Sequence, residues 1–331
     1  MPRTFDLLVI GDANPDVVLG PLHAPLAFGQ HEQLVGSGLL TLGGSAAIMA
    51  CGAARLGLEV AFAGRIGDDE AGRFVRAALD DRGVDTGALR VDRTLATPLT
   101  VVLTLSDGDR AILTSPGTLT ATGPEDVPRD LLVTSRHIHA ASYFLLPELA
   151  AALPELFGTA RARGATTSLD TNDDPSGRWA PDALPATLAV TDFLLPNAQE
   201  AIALSAAMPA SAALSSTAGT TAESVETAAA ALAAQGPHVI VKNGAAGAVA
   251  HDGSTLLSTD GIPAQPVDTV GAGDSFDAGF VAAHLRGLST AHALALAAAC
   301  GALSTRAHGG TPSQPTWAEA VAALSRNGKN L

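Results

Sequence analysis

Residues 266–280 read PVDTVGAGDSFDAGF, in which Gly271, Ala272 and Gly273 put almost no side chain between a β-like run and a helical pattern, and Asp274 follows directly. Phe276, Phe280 and Ala283 recur at helical spacing, so the helix begins in or just after GAGD. The N–H groups that open a helix have no intrahelical partner, and the helix dipole places partial positive charge there. Small residues let an anion come close to that backbone, which makes the stretch a credible cradle for a phosphate or phosphoryl group. A carboxylate that only met phosphate would repel it. A general base taking the proton of an attacking hydroxyl belongs there. Read alone, the stretch is more often an acid opening a helix after a glycine turn.

Other phosphate-binding patterns do not fit. A P-loop needs Gly-Lys-[Ser/Thr], but the only two lysines are Lys242, after Val241, and Lys329, before Asn330. A dinucleotide fingerprint needs a second glycine in register after the first strand, which VIGDANPD lacks. LGGSAAIMACGAARLG (42–57) is a second small-residue entry into a helix, and close helix–strand packing explains it as well as a ligand does. A net charge of −14 argues against a nucleic-acid partner. No apolar run is long enough to span a bilayer, and no membrane partner is expected. MPRTFDLLVIGD turns acidic too early for a signal peptide and reads as a strand, so the expected location is cytoplasmic. Cys51 and Cys300 sit in alanine-rich helical patterns and read as buried apolar residues, and the histidines show no metal-ligand spacing.

These groups need a scaffold. Apolar runs at 5–12, 60–67, 137–145, 166–172, 192–197 and 238–244 read as strands. Helical patterns fall near 45–57, 69–83, 148–163, 222–235, 274–287 and 290–305. The alternation implies an α/β fold: a doubly wound, mainly parallel sheet flanked by helices. Ligands of such sheets bind at the carboxyl ends of the strands, which points to GDANPD, LDTND, LPNAQE and VKNGAAG. Segments 13–42 and 94–117 lack a long helical pattern and read as pieces of a small separate sheet inserted in one domain spanning 1–331. Residues 205–222 are a Ser/Thr/Ala-rich stretch expected to be a mobile surface connection.

GGSAAIMACGAARLG followed by GRIGDDEAGRFV resembles the N-terminal signature of the ribokinase-like (PfkB) carbohydrate kinase family. DTVGAGDSFDAGF is similar to that family's C-terminal signature, and the resemblance covers nearly the whole chain. It implies a ribokinase-like fold with a β-sheet lid, ATP as phosphoryl donor, Mg²⁺, and K⁺ as a monovalent cation. Asp274 would be the base, and Gly271, Ala272 and Gly273 the anion hole. Asn197 and Glu200 of PNAQE would lie near Mg²⁺, largely through water. Lys242, Gly244 and Gly247 of VKNGAAG would lie along ATP. Asp268 and the carbonyl of Val270 would hold the monovalent cation, with help from the 303–313 loop.

Asn14 and Asp16 would bind acceptor hydroxyls, with Gly43, Gly44 and Ser45 close by and Tyr143 and Asp170 lining the same site. Two positions depart from the family pattern. Ile48 stands where a sugar-binding Asn is frequent, and Asp174 stands where Arg is usual, with Arg178 later. An anionic acceptor would want that Arg, so the expected acceptor is a small neutral sugar or polyol, phosphorylated on a hydroxymethyl group. A nucleoside is the alternative, and a non-catalytic sugar- or nucleotide-binding regulator is the alternative of a different class. The resemblance also implies a homodimer through the lid.

Overall fold

The computed structural model describes residues 4–106, 109–179, 182–208 and 224–329. In chain order the strands are β1 (Phe5–Ile10), β2 (Asn14–Leu22), β3 (Ser37–Gly43), β4 (Val60–Gly67), β5 (Leu89–Asp92), β6 (Leu99–Leu105), β7 (Arg110–Ser115), β8 (Ser135–Ala140), β9 (Thr166–Leu169), β10 (Phe193–Leu194), β11 (His238–Lys242), β12 (Ala248–His251) and β13 (Leu256–Thr259). The helices are α1 (Ser45–Arg55), α2 (Glu70–Asp80), α3 (Arg129–Thr134), α4 (Pro147–Arg161), α5 (Leu184–Leu188), α6 (Ala198–Ala207), α7 (Val225–Ala233), α8 (Ala272–Leu285), α9 (Thr290–Ser304) and α10 (Trp317–Arg326).

A nine-stranded sheet runs β13-β12-β11-β10-β9-β8-β1-β4-β5. Its pairs are parallel from β11 to β5, and β12 and β13 are added antiparallel at one edge. Side chains alternate across a strand, so β1 serves both faces: Leu7 and Val9 join one core, Leu8 and Ile10 the other. The first core is closed by α1, α2, α8, α9 and α10, the second by α3, α4, α5, α6 and α7. That is the doubly wound architecture expected from the alternation.

Alanine and glycine dominate α1, α8 and α9 because these helices lie close together. A Cβ on Gly52 would come within 3.0 Å of Ala278, and one on Gly279 within 2.9 Å of the Ala297 backbone. Ten residues of α8 are buried, so its amino end is fixed on several sides. Cys51 and Cys300 are free and buried in this layer.

A separate four-stranded sheet, β3-β2-β6-β7, is built from the two segments that lack helical patterns. Arg110, Ile112 and Thr114 alternate along β7 and line a cavity beneath this sheet. On its opposite face, cross-strand partners form the row Leu40–Val17–Val101–Leu113.

Several expected strands are shorter than their apolar runs. The 137–145 run ends at Ala140, the 166–172 run at Leu169 and the 192–197 run at Leu194. Ser142, at φ 59°, turns the chain out of the sheet, and Asp170 to Asn172 leave it likewise. The residues past each strand end build the site. Of the stretch 205–222, residues 205–207 finish α6, and 209–222 lie outside the described residues.

Candidate active site

The sequence puts polar residues just past several strands, and the strand order sets them side by side. Lys242, Asn197, Asp170, Ser142 and Asp12 stand at or beyond the carboxyl ends of β11, β10, β9, β8 and β1, five neighbours in the sheet. The amino ends of α1 and α8 face this row.

The α1 end is tied down by Asp12, whose two carboxylate oxygens accept from the N–H groups of Ser45 (3.1 Å) and Ala46 (3.0 Å). Burial raises the Asp12 pKa. Asn172 accepts from the Ser142 N–H at 2.7 Å and donates to the Ser45 hydroxyl at 3.0 Å, joining three elements. At the start of β2, Asn14 donates to Asp16 (2.7 Å) and to Thr100 (3.1 Å). Burial, with the charge of Asp12, pushes Asp16 up to about 7. Gly43 lies so near the Asp16 carboxyl that any side chain there would collide with it.

At the α8 end, Gly271 is the helix cap with φ 71°, a left-handed conformation. A Cβ there would sit 2.6 Å from the Gly310 backbone. The Ala272 N–H makes a long 3.3 Å bond to the Thr269 carbonyl. Asp274 lies in the first turn, buried, its pKa pushed up to about 8 by burial and then by the charge of Asp170, against Lys242. One carboxylate oxygen each from Asp170, Asp274 and Asp277 lie within 4.8 Å of one another.

Lys242 answers this acidic cluster. Its ammonium donates to Asp170 and, at 3.0 Å, to Asp277. Burial opposes the charge of Lys242, but the two carboxylates outweigh it and raise its pKa. Asp170 is drawn below the usual carboxylate range by Lys242 despite its burial. Asp277 is driven up by burial and the charge of Asp170. The two carboxylates and the lysine therefore form one buried ionic cluster, in which Lys242 favours the charged form of both acids.

Glu200 and Asn197 form a reciprocal cap on α6. The Asn197 N–H donates to Glu200 at 2.7 Å, and the Glu200 N–H donates to Asn197 at 2.9 Å. The glutamate is buried, and burial with the charge of Asp170 pushes it up to about 7. Asp268 accepts from the N–H groups of Val270 (3.0 Å) and Gly309 (2.9 Å), which brings the 303–313 loop to the α8 turn.

Two cavities meet at that turn. The larger, about 1290 Å³, is lined by Asp12, Asn14, Asp16, Asn172, Gly271 and Asp274, with Tyr143 and Phe144 on an aromatic wall. The smaller, about 430 Å³, is lined by Lys242, Gly244, Gly247, Ala272 and Gly273. Thr269 lines both. Gly44, Ser45 and Ile48 also line the larger cavity. Asp170, Asn197 and Glu200 lie behind the cavity walls at the strand ends. Gly43 likewise lies behind them and acts through Asp16. Asp174 and Arg178 both line the larger cavity, and the Asp174 carboxylate accepts from the N–H groups of Ser176, Arg178 and Trp179 in its own loop.

Sequence reasoning passed over Asp12, Asn172, Thr100 and Asp277. Asp277 had a signal, since it is three residues after Asp274 and so shares a helix face with it. Asp12 and Asn172 lay inside the quoted strand-end motifs, but nothing local distinguishes them from their neighbours.

The chain matches the model of the pfkB family of carbohydrate kinases over residues 4–317. It is 33% identical over 318 residues to an ATP-dependent ribose-1-phosphate kinase from Halopiger xanaduensis, covering 96% of this chain and 97% of that protein. It is 31% identical to a fructokinase from Klebsiella pneumoniae, covering 82% and 88%. The solved structure of Arabidopsis thaliana ribokinase complexed with ribose and ATP superimposes with a TM-score of 0.81 at 27% identity, covering 98% and 99%.

Proposed function

We propose, since the chain belongs to the pfkB family of carbohydrate kinases, that it transfers the γ-phosphoryl group of ATP to a hydroxymethyl group of a small sugar or polyol. One observation carries this reading. The α8 turn divides two cavities, with Asp274 and Gly271 on the side rich in hydrogen-bonding side chains and Ala272 and Gly273 on the glycine-lined side. Acceptor and donor entering from opposite sides would meet at the first turn of one helix.

In the larger cavity Asn14, Asp16 and Asn172 offer the mixed donors and acceptors that hydroxyl groups need. Asp274 takes the acceptor proton as the new O–P bond forms and the bond to ADP breaks. The opening N–H groups of α8 and its dipole oppose the charge on the phosphoryl oxygens. A base near 8 is well matched to that proton once it is ionised. ATP supplies the phosphoryl group, and Gly244 and Gly247 let its phosphates and ribose lie close to the backbone.

The donor set at α6 fits Mg²⁺. Lys242 pairs with Asp170 and Asp277 and acts on the buried Glu200 only through its charge; among the described residues Glu200 has no ion pair, and a divalent ion near it would favour its charged form. Glu200 and Asn197 would hold that ion through water, and it would supply charge neutralisation at the ATP phosphates. Asp268 and the Val270 carbonyl would hold K⁺ beside the α8 turn.

The small sheet acts as a lid over the larger cavity, and its apolar outer row is the surface through which two copies would pair. A nucleoside acceptor is the second reading, favoured by Tyr143 and Phe144 in the larger cavity. ADP release over a panel of sugars, sugar phosphates, polyols and nucleosides tests the assignment, with and without K⁺. Asp274→Asn is expected to remove turnover while ATP still raises the melting temperature. Unchanged ADP production by that variant would sink the mechanism.

A further inference from the structure

The mechanism leaves His137, His139 and His284 unused, and they lie in one line between the main sheet and α8. His137 and His139 are fully buried on β8 and, two residues apart, share a face. Their ladder partners on β9 are Thr166 and Ser168. Asp170 comes next on that face, its N–H carrying the ladder on to the Ala140 carbonyl at 3.0 Å. Helix α8 spans the line: Asp277 meets Lys242 at one end, and His284, two turns or about 10 Å further along, stands at the other.

The line is hydrogen-bonded throughout. His284 Nε2 meets the Thr166 hydroxyl (3.4 Å), which meets His137 Nδ1 (2.6 Å). His137 Nε2 meets the Ser168 hydroxyl (2.7 Å), which meets His139 Nδ1 (2.7 Å). The last nitrogen, His139 Nε2, is buried without a partner, and the charges acting on its ring are those of Asp170 and Lys242. Burial holds His137 well below its usual range and His139 down to about 4, so both rings are neutral. A neutral ring and a hydroxyl each have one proton to give. Each hydroxyl can therefore both give and take in just two arrangements, with all protons directed toward His139 or all toward His284. Shifting from one to the other moves a proton from end to end.

We propose that this line is a proton path, which carries the Asp274 proton to the far end of the sheet when ligands fill both cavities and cut Asp274 off from solvent. This rests on the kinase reading above. The proton leaves Asp274 through the carboxyl groups of Asp277 and Asp170, whose oxygens lie within 4.8 Å of one another and of Asp274. It enters at His139 Nε2, each bond in the line shifts by one proton, and His284 Nδ1 releases one to solvent. His284 is partly exposed, with Asp192, Arg136 and His238 the charged or titratable groups acting on it. His137, His139, Thr166 and Ser168 line neither cavity. They act through Asp274.

The test follows kcat against pH for the full chain, Thr166→Val, Thr166→Ser and His284→Phe, using the best neutral acceptor from the panel. Thr166→Val keeps the shape and removes a hydroxyl from the line. His284→Phe removes the exit and keeps a ring against Phe193, now 4.7 Å away between centroids. Without the path, only molecules that bind their ligands with Asp274 already ionised turn over. For a group near 8, that is about one molecule in ten at pH 7. Both variants should therefore lose kcat about 10-fold at about pH 7 and match the parent at about pH 9, with KM little changed. Thr166→Ser should follow the parent throughout. A loss of the same size at every pH is what a structural role gives, and it overturns the proposal. So does an unchanged kcat at neutral pH. If Thr166→Val does not fold, His284→Phe decides alone. Absence of any turnover in the parent chain would instead remove the kinase reading, and the proposal with it.

Discussion

Burial and the neighbouring Asp170 charge lift Asp274 to about 8, far above the ordinary carboxylate range. Two consequences follow at this residue. The free protein carries Asp274 protonated at neutral pH, so kcat/KM should climb with pH and level off above about 8; a profile flat between about pH 6 and 9 would remove Asp274 as the base. The same shift sets a stability term. A folded pKa above the unfolded one means the fold binds more protons, so this contribution is present at low pH and is lost as pH rises from about 4 to about 8. Asp274→Asn should therefore melt near the parent only at about pH 3, and exceed it by an increasing margin from about pH 4 to about pH 8, read by calorimetry. Asp16 and Glu200, both raised to about 7, add terms of the same sign.

At the scale of the element, the start of α8 contains two glycines required for different reasons. Gly271 has φ 71°, and a Cβ would lie 2.6 Å from Gly310 and 2.9 Å from Ile48. Gly271→Ala should cost about 1–3 kcal/mol of stability and reduce kcat together. Gly273 has no such constraint, because a Cβ there meets only Lys242 at 3.6–3.7 Å. Gly273→Ala should fold with a normal melting temperature yet place a methyl group in the smaller cavity, raising KM for ATP or lowering kcat. A stability loss equal to that of Gly271→Ala would contradict this division. The element boundaries were partly legible. The capping pattern Asn197…Glu200 belongs to a helix that periodicity missed, and the glutamate of that cap is buried. The apolar runs past β8, β9 and β10 suggested longer strands, because hydrophobicity marks burial and cannot distinguish a strand from the buried turn after it.

At the scale of the molecule, the small sheet leaves Leu40 and Leu113 well exposed, at 55% and 57%, in one row on the face turned away from the larger cavity. Contiguous apolar surface of this kind marks an interaction site, and a second copy offers a matching row. Sedimentation should find a dimer that Leu40→Glu with Leu113→Glu converts to a monomer; a monomeric parent would refute the pairing. Among the described residues no helix is long and apolar enough to cross a membrane.

The sequence by itself determined the alternation of strands and helices, the small-residue entries to α1 and α8, and the candidate roles of Asp274 and its glycines. These are local: periodicity, chain stiffness and helix-end chemistry act over a few residues. Tertiary structure alone decided that Lys242 is consumed by Asp170 and Asp277, that Asp12 caps a helix begun 33 residues later, and that Arg110 reaches Thr269. Each of those depends on strand order and on which faces pack together. Spacing along the chain does not carry that information, because charges and hydrogen bonds act through distance in space.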